Sequence, residues 1–101
     1  MQTVVARFKI IPGKEAGAEE AMKQQAAAVE AKEPGVLTYA FNRNRKDPLE
    51  ITVFEIYADD DAFHAHGATE HMSAFRGHFG SLFDPATVKI ERVERVAGFS
   101  R

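Results

Sequence analysis

The segment "EPGVLTYAFNRNRKDPLEITVFEIY", residues 33–57, decides the fold of this 101-residue chain. In its first half Leu37, Tyr39 and Phe41 alternate with smaller or polar residues, which predicts a half-buried β-strand over 36–44. Residues 50–57 have the β-branched and aromatic composition of a second strand. The intervening RKDPL is a polar turn, so the segment is predicted to form a β-hairpin.

A helix is predicted immediately before this hairpin, over residues 14–33. Its apolar stripe has helical spacing and consists of Ala18, Ala21, Met22, Gln25, Ala28 and Val29. Pro34 ends the helix, because a residue that precedes proline is disfavoured in the α conformation.

A second helical region is predicted after the hairpin, from the acidic residues at 59–61 to about Phe83. Phe63 and His66 share one face, whereas Met72 and the apolar residues after it share a different one. We therefore predict a break at 67–69, with Thr69 capping the second segment.

Two outer strands complete the pattern. Residues 2–11 form the first strand, and residues 86–97 form the last, with a phase shift near Val93. The order β-α-β-β-α-β predicts a single α+β domain over residues 1–101, with a four-stranded antiparallel sheet and both helices on one face. The other sheet face carries apolar side chains, for which a partner subunit is the natural cover.

The composition excludes several classes of protein. The chain has no cysteine, so disulfides, thiolate nucleophiles and cysteine-based metal sites are excluded. Its formal charge of −2 gives no reason to expect nucleic acid or anionic membranes as partners. We expect a cytoplasmic protein without a signal peptide or membrane span. No phosphate loop, nucleophile elbow or dinucleotide fingerprint is present, which disfavours nucleotide and flavin cofactors.

Three of the four histidines lie in "AFHAHGATEHM", residues 62–72. Metal-binding helices place ligands three or four residues apart, whereas His64, His66 and His71 are separated by two, five and seven positions. We therefore predict no metal site. The helix break could nevertheless bring His66 and His71 together, with carboxylates such as Glu70 nearby in the sequence.

His66 is the candidate general base. It shares the inward face with Phe63, towards which Tyr57 and Glu55 at the end of the third strand are expected to point. A histidine beside a tyrosine and a carboxylate in an apolar pocket is suited to proton abstraction near neutral pH. The alternative is a core histidine hydrogen-bonded to Glu55 with no chemical role.

Two further polar positions are ambiguous. Glu55 fits an ion pair across the sheet with Arg7 or Arg92 as well as it fits a pocket. Asn42 and Arg43 face opposite sides of the second strand, and one of them could reach the pocket.

Residues 33–75 resemble the antibiotic biosynthesis monooxygenase (ABM) domain family, especially its quinol monooxygenase members. The resemblance lies in E-P-G-x-L-x-Y at 33–39, D-P at 47–48, F-E-I-Y at 54–57 and A-F-x-A-H-x-A-T-x-H at 62–71. It implies a ferredoxin-like protomer with a pocket between sheet and helices. It also implies a homodimer whose open sheets pack into a dimeric α/β barrel.

The family pattern also implies roles for individual residues. His66 and His71 match the family's helix histidines, Tyr57 matches an aromatic position, and Glu55 matches an acidic position. Haem-degrading members carry an asparagine where Ala6 stands, and a tryptophan that this chain lacks. We therefore do not expect haem breakdown.

These observations predict a cofactor-independent monooxygenase that uses O₂ on a phenolic, quinol or anthrone-type aromatic substrate. His66 would be the base, Tyr57 would orient the substrate, and Glu55 would fix the tautomer of His66. The predicted substrate-binding residues share the pocket wall: Phe63, His71, Met72, Phe75, Phe79 and Asn42.

Two alternatives remain open at this point. An isomerase of a small carbonyl compound would use the same pocket, and Arg43 and Arg76 are the nearest cations for a phosphorylated substrate. A non-enzymatic dimeric binding or stress-response module would instead have a small or filled pocket.

Overall fold

The computed structural model describes all 101 residues and has the predicted order of elements, with the second helical region divided in two. The elements are β1 (Gln2–Ile10), α1 (Glu15–Lys32), β2 (Val36–Arg43), β3 (Glu50–Tyr57), α2 (Asp60–Gly67), α3 (Glu70–Leu82) and β4 (Phe83–Val93). The predicted hairpin, both crossover helices and the outer strands are therefore confirmed.

The four strands form one antiparallel sheet in the order β2-β3-β1-β4. Alternate residues of β1 are buried: Val4, Ala6, Phe8 and Ile10. The last three of these side chains join Ala18 and Met22 of α1 and Phe75 of α3 in one apolar cluster. Since side chains alternate across a strand, the helices cover one face of the sheet, as predicted.

Aromatic rings fill one end of this core. Phe8 meets Phe79 and Phe83 edge to face, with ring centroids 5.2 and 4.9 Å apart, and Phe79 stacks on Phe83 at 4.8 Å. Phe83 is completely buried, and burial of a phenylalanine side chain stabilises the fold by about 1.5–3 kcal/mol. This cluster joins the end of α3 to the sheet.

The predicted break in the second helical region is confirmed. The Asp59 side chain accepts a hydrogen bond from the Ala62 amide at the start of α2. The Thr69 hydroxyl accepts one from the Met72 amide at the start of α3. Two short helices with separate N-caps therefore replace one long helix, and the side chains that face the sheet follow a different phase in each.

The last strand differs from the prediction at both ends. It begins at Phe83 rather than residue 86 and ends at Val93 rather than residue 97. The irregularity in its pairing lies near its start, opposite Arg7 and Lys9, and not near Val93. There the Lys9 amide donates to the Thr87 hydroxyl instead of a strand carbonyl, which explains the shift in register.

Gly35 allows α2 to approach the start of β2. A Cβ atom at this position would lie 2.8 Å from the Cβ of Ala62. Such a contact is too short for carbon atoms, so only glycine permits this packing. The close approach fixes the position of α2 relative to the end of α1.

None of the three helices is both long enough and apolar enough to cross a membrane.

Candidate functional site

A cavity of about 550 Å³ lies between the sheet and helices α2 and α3. Its volume falls in the range of small-molecule sites, about 300–1,000 Å³. Thirteen of its 18 lining residues are hydrophobic, so the cavity is suited to an apolar ligand. Seven of the predicted site residues line it: Glu55, Tyr57, Phe63, His66, Met72, Phe75 and Phe79.

Strand β3 contributes a tyrosine and a carboxylate to this cavity. Tyr57 is completely buried, and its hydroxyl donates a hydrogen bond to the Glu55 carboxylate. Burial raises the pKa of Glu55, against the opposing effects of the Tyr57 hydrogen bond and the nearby His66. Burial and the Glu55 hydrogen bond raise the pKa of Tyr57. Tyr57 is therefore a hydrogen-bond donor and not a base.

Glu33 supports His66 from outside the cavity. Pro34 pushes Glu33 out of the helical conformation at the end of α1, with φ −125° and ψ 78°. Its carboxylate oxygens both lie 3.0 Å from His66 Nδ1. The side chains of both residues are only 8% exposed, so this contact is shielded from water.

The same carboxylate binds a second histidine. His71 Nε2 lies 2.5 Å from Glu33 Oε2, and the His71 side chain is 12% exposed. The two imidazole centroids are 6.5 Å apart, on the two sides of the break between α2 and α3. We refer to Glu33, His66 and His71 as the triad.

The triad fixes how His66 faces the cavity. An ionised carboxylate only accepts hydrogen bonds, so Nδ1 carries the proton, and neutral His66 has its lone pair on Nε2. Nε2 has no hydrogen-bond partner in the protein, and no partnerless polar side-chain atom of the chain is fully buried. Since His66 lines the cavity, Nε2 is open to a ligand there.

Three predicted details of the site are wrong. Glu33, not Glu55, is the hydrogen-bond partner of His66 Nδ1. His71 does not line the cavity, because it lies on the far side of Phe75 and faces another depression. Asn42 is also outside the cavity, since its pairing with Thr52 places it on the other sheet face; its amide donates to the Thr52 carbonyl.

The arginine partners predicted for Glu55 are otherwise engaged. Arg7 pairs with Glu91 at 3.1 Å. Arg92 donates to Gln2 and its guanidinium lies 4.5 Å from the centre of the Phe63 ring. Glu55 is therefore free to face the cavity.

Sequence reasoning missed Glu33 as a functional residue. The available signal was its place directly before Pro-Gly at the end of a helix. Because the α conformation is disfavoured before proline, the helix ends at this residue, and its side chain need not follow the direction that the helical period would give it. The position of the partner histidines could not be obtained from that signal.

The triad has residue types that also bind transition metals, and its ligand atoms lie within 4.8 Å of one another. A divalent ion about 2.1 Å from its ligands would keep neighbouring ligand atoms about 3 Å apart. The 2.5 Å contact between His71 and Glu33 is shorter than that separation and fits a direct hydrogen bond. Metal-bound imidazoles are often oriented by a carboxylate or carbonyl at the outer ring nitrogen, and the protein supplies neither to His66 Nε2 nor to His71 Nδ1.

The fold and the buried histidine site define an α+β domain of the ferredoxin-like type with a largely apolar cavity. Residues 1–77 match the model of the antibiotic biosynthesis monooxygenase family. The chain belongs to that family, and the predicted family assignment is confirmed.

Solved structures with the same fold support this assignment. A candidate antibiotic biosynthesis monooxygenase from Caulobacter crescentus is 33% identical, with a TM-score of 0.88 over 95% of this chain and 90% of that protein. A protein from Pseudomonas aeruginosa is 28% identical, with a TM-score of 0.85 over 95% and 94% of the two chains. Comparison with curated proteins gave no significant match.

Proposed function

We propose that this protein is a monooxygenase that acts on a phenolic, quinol or anthrone-type aromatic substrate without a metal or flavin. The observation that carries the proposal is the accessible Nε2 of His66, held in an apolar cavity by the Glu33 hydrogen bond. Family membership and the designation of the Caulobacter crescentus protein support a monooxygenase activity.

The first step is removal of the phenolic proton. The O–H bond of the substrate breaks, its proton forms a bond with His66 Nε2, and the electron pair stays on the phenolate oxygen. Glu33 stabilises the resulting imidazolium through its hydrogen bond to Nδ1. The phenolate then gives an electron to O₂ more readily than the neutral phenol does.

The carboxylate and tyrosine of β3 bind the opposite part of the substrate. Glu55 faces the cavity and accepts a hydrogen bond from Tyr57, so it has capacity to accept another from a second substrate hydroxyl. A quinol offers such a hydroxyl. Tyr57 orients the substrate through Glu55, because its own hydroxyl is already used.

The apolar wall holds the ring and excludes water. Phe63, Met72, Phe75 and Phe79 line the cavity from α2 and α3, and the Phe63 ring packs edge to face on Tyr57 at 5.4 Å. A dry cavity protects reactive oxygen intermediates from water.

Two observations disfavour the alternative functions. Arg43 lies outside this cavity, and Arg76 lines it with one N–H group donated to the Gly67 carbonyl at 2.8 Å, so a phosphate would meet a single arginine there. A binding module with a filled pocket does not fit a cavity of about 550 Å³.

The proposal is tested by oxygen uptake with metal-stripped protein and a panel of hydroquinones and anthrones. We expect uptake that requires both substrate and protein, and a fall of about 10²-fold or more in His66→Ala. His78→Ala is the matched control, because His78 is exposed on α3 outside the cavity. Full activity in His66→Ala, or no oxygen uptake with any substrate of the panel, would contradict the proposed function.

We also propose that the working form is a homodimer paired through the open sheet face. Phe54 and Val93 lie on that face with 40% and 43% of their surfaces exposed. Two copies packed face to face would cover both side chains. Sedimentation should show a dimer for the native protein and a monomer for Phe54→Asp; a native monomer at micromolar concentration would contradict the pairing.

A further inference from the structure

The triad connects two separate depressions of the molecule. His66 lines the large cavity, whereas His71 lines a depression of about 250 Å³ on the other side, beside Gln24, Ala28 and Ala74. Phe75 lines both and therefore forms the wall between them. Two sets of hydrogen bonds span this wall. Gln25 of the outer depression donates to the Tyr39 hydroxyl and the Met72 sulfur at the cavity, but its amide does not exchange protons as a base would. The triad is the other set, and its members are all acids or bases.

A substrate in the cavity isolates His66 from water on one side. An aromatic ligand that fills the cavity covers Nε2, and the remaining ring nitrogen is bonded only to Glu33. A proton taken from the substrate then has no solvent to enter on that side. The hydrogen bond between Glu33 and His71 links His66 to the opposite side of the molecule, away from the cavity.

His71 can pass a proton to water. Its Nε2 is bound to Glu33, and its Nδ1 has no partner in the protein. Because no partnerless polar side-chain atom of the chain is fully buried, Nδ1 is accessible in the outer depression. Glu33 is therefore a carboxylate that joins an imidazole facing the cavity to an imidazole facing solvent.

We propose that the triad is a proton relay in which Glu33 couples uptake of the substrate proton at His66 to release of a proton from His71 in the outer depression. This inference rests on the proposed role of His66 as the base. One proton enters at His66 Nε2 from the substrate hydroxyl, and one leaves from Nδ1 of a protonated His71 to water. The proton between His66 and Glu33 stays shared, so the triad keeps the same number of protons and the same net charge.

Charge balance favours this exchange. A buried carboxylate is stable when one imidazolium offsets its charge, and a second imidazolium would leave an excess positive charge in the interior. Glu33 is hydrogen-bonded to both rings, so the positive charge moves from His71 to His66 when the phenolate forms. The phenolate then faces the imidazolium directly in the cavity.

The test uses 4-nitrophenol, whose phenolate absorbs visible light, mixed without oxygen with protein in lightly buffered solution that contains a pH indicator. In the native protein, phenolate formation and proton release should rise together. His71→Ala should slow phenolate formation by about 10-fold or more, and added imidazole should restore it. Glu30→Gln should match the native rate, because Glu30 is exposed on α1 and lies outside the triad, the cavity and the outer depression.

His71→Gln separates a relay from a structural role. A glutamine amide can still donate a hydrogen bond to Glu33, but it cannot release a proton to water. We expect it to melt closer to the native protein than His71→Ala does, because it keeps a hydrogen bond to Glu33, and to be as slow as His71→Ala. A native rate in His71→Gln, or a slow His71→Ala that imidazole does not restore, would overturn the relay.

Two other results would refute the relay for different reasons. If the native protein binds 4-nitrophenol without forming the phenolate, His66 is not a base, and both the proposed function and the relay are refuted. If activity requires one bound metal ion per chain and chelation removes it, the triad is a metal site and the relay is refuted.

Discussion

Replacement of Glu33 by glutamine tests the hydrogen bond that orients His66. The carboxylate makes two 3.0 Å contacts with His66 Nδ1 and one 2.5 Å contact with His71 Nε2. A glutamine has the same shape but offers one acceptor oxygen and one amide donor. It can accept from one ring and must donate to the other.

The expected result is a change of tautomer at His66. If the new amide donates to His66 Nδ1, the ring proton moves to Nε2, and the lone pair no longer faces the cavity. Turnover should then fall by about 10²-fold or more, as for loss of a general base. Long-range ¹H–¹⁵N NMR of the imidazole rings identifies the protonated nitrogen directly, whether or not a substrate is known.

Stability should fall as well. Loss of a charge-assisted hydrogen bond to a buried carboxylate costs about 1.5–3 kcal/mol. For a domain of this size, about 1 kcal/mol lowers Tm by about 4–8 °C, so the melting temperature should fall by about 6–24 °C. Glu30→Gln is the matched control, because Glu30 is exposed on the same helix and should change stability by no more than about 0.5 kcal/mol.

The reasoning would be refuted by a Glu33→Gln protein in which His66 Nδ1 and His71 Nε2 both still carry protons and whose turnover equals that of Glu30→Gln. That result would mean that another contact sets the tautomer.

Three further predictions concern stability. Gly35→Ala should lower the free energy of unfolding by about 1–3 kcal/mol, because the new Cβ meets Ala62 at 2.8 Å. Gly77→Ala meets nothing within 4 Å and should raise the free energy of unfolding by about 0.5–1 kcal/mol. Thermal melts compare the two variants, and an equal effect would contradict the contact at Gly35. Thr69→Ala should cost about 1 kcal/mol by removing the α3 cap, measured by urea unfolding with Thr69→Ser as the control that keeps it. Burial raises the pKa of Glu55, so the native state holds this proton more tightly than the unfolded state, and stability should decline as pH rises from about 4 through the raised value. Urea unfolding at stepped pH should show a smaller decline in Glu55→Gln, and parallel curves would contradict the assignment.

Local sequence patterns were sufficient to predict the fold. Alternation in residues 36–57 marked the hairpin, and the change of apolar phase between Phe63 and Met72 located the helix break. Both signals arise from the periodicity of one element and need no knowledge of distant contacts. The end of β4 was misplaced because its exposed residues have no strong alternation of burial.

The partners within the site were harder to predict. The predicted directions of the third strand and the following helix placed Glu55 near His66. The hydrogen bond to His66 comes instead from Glu33, which lies 33 positions away in the sequence. His71 was expected at the cavity because it matches the second of the family's helix histidines. The turn between α2 and α3 sends it to the other side of Phe75, and such an orientation depends on packing that no short pattern specifies.

The long sequence separation within the triad has a consequence for folding. His66 and His71 lie 33 and 38 positions from Glu33, so neither bond can form until the hairpin has closed and α2 has packed beside Gly35. Contacts between distant residues carry a larger loop-closure cost than local ones, and we expect them to form late. A partly folded chain would therefore hold a histidine with no fixed tautomer, and it would gain chemical competence only with the last steps of assembly.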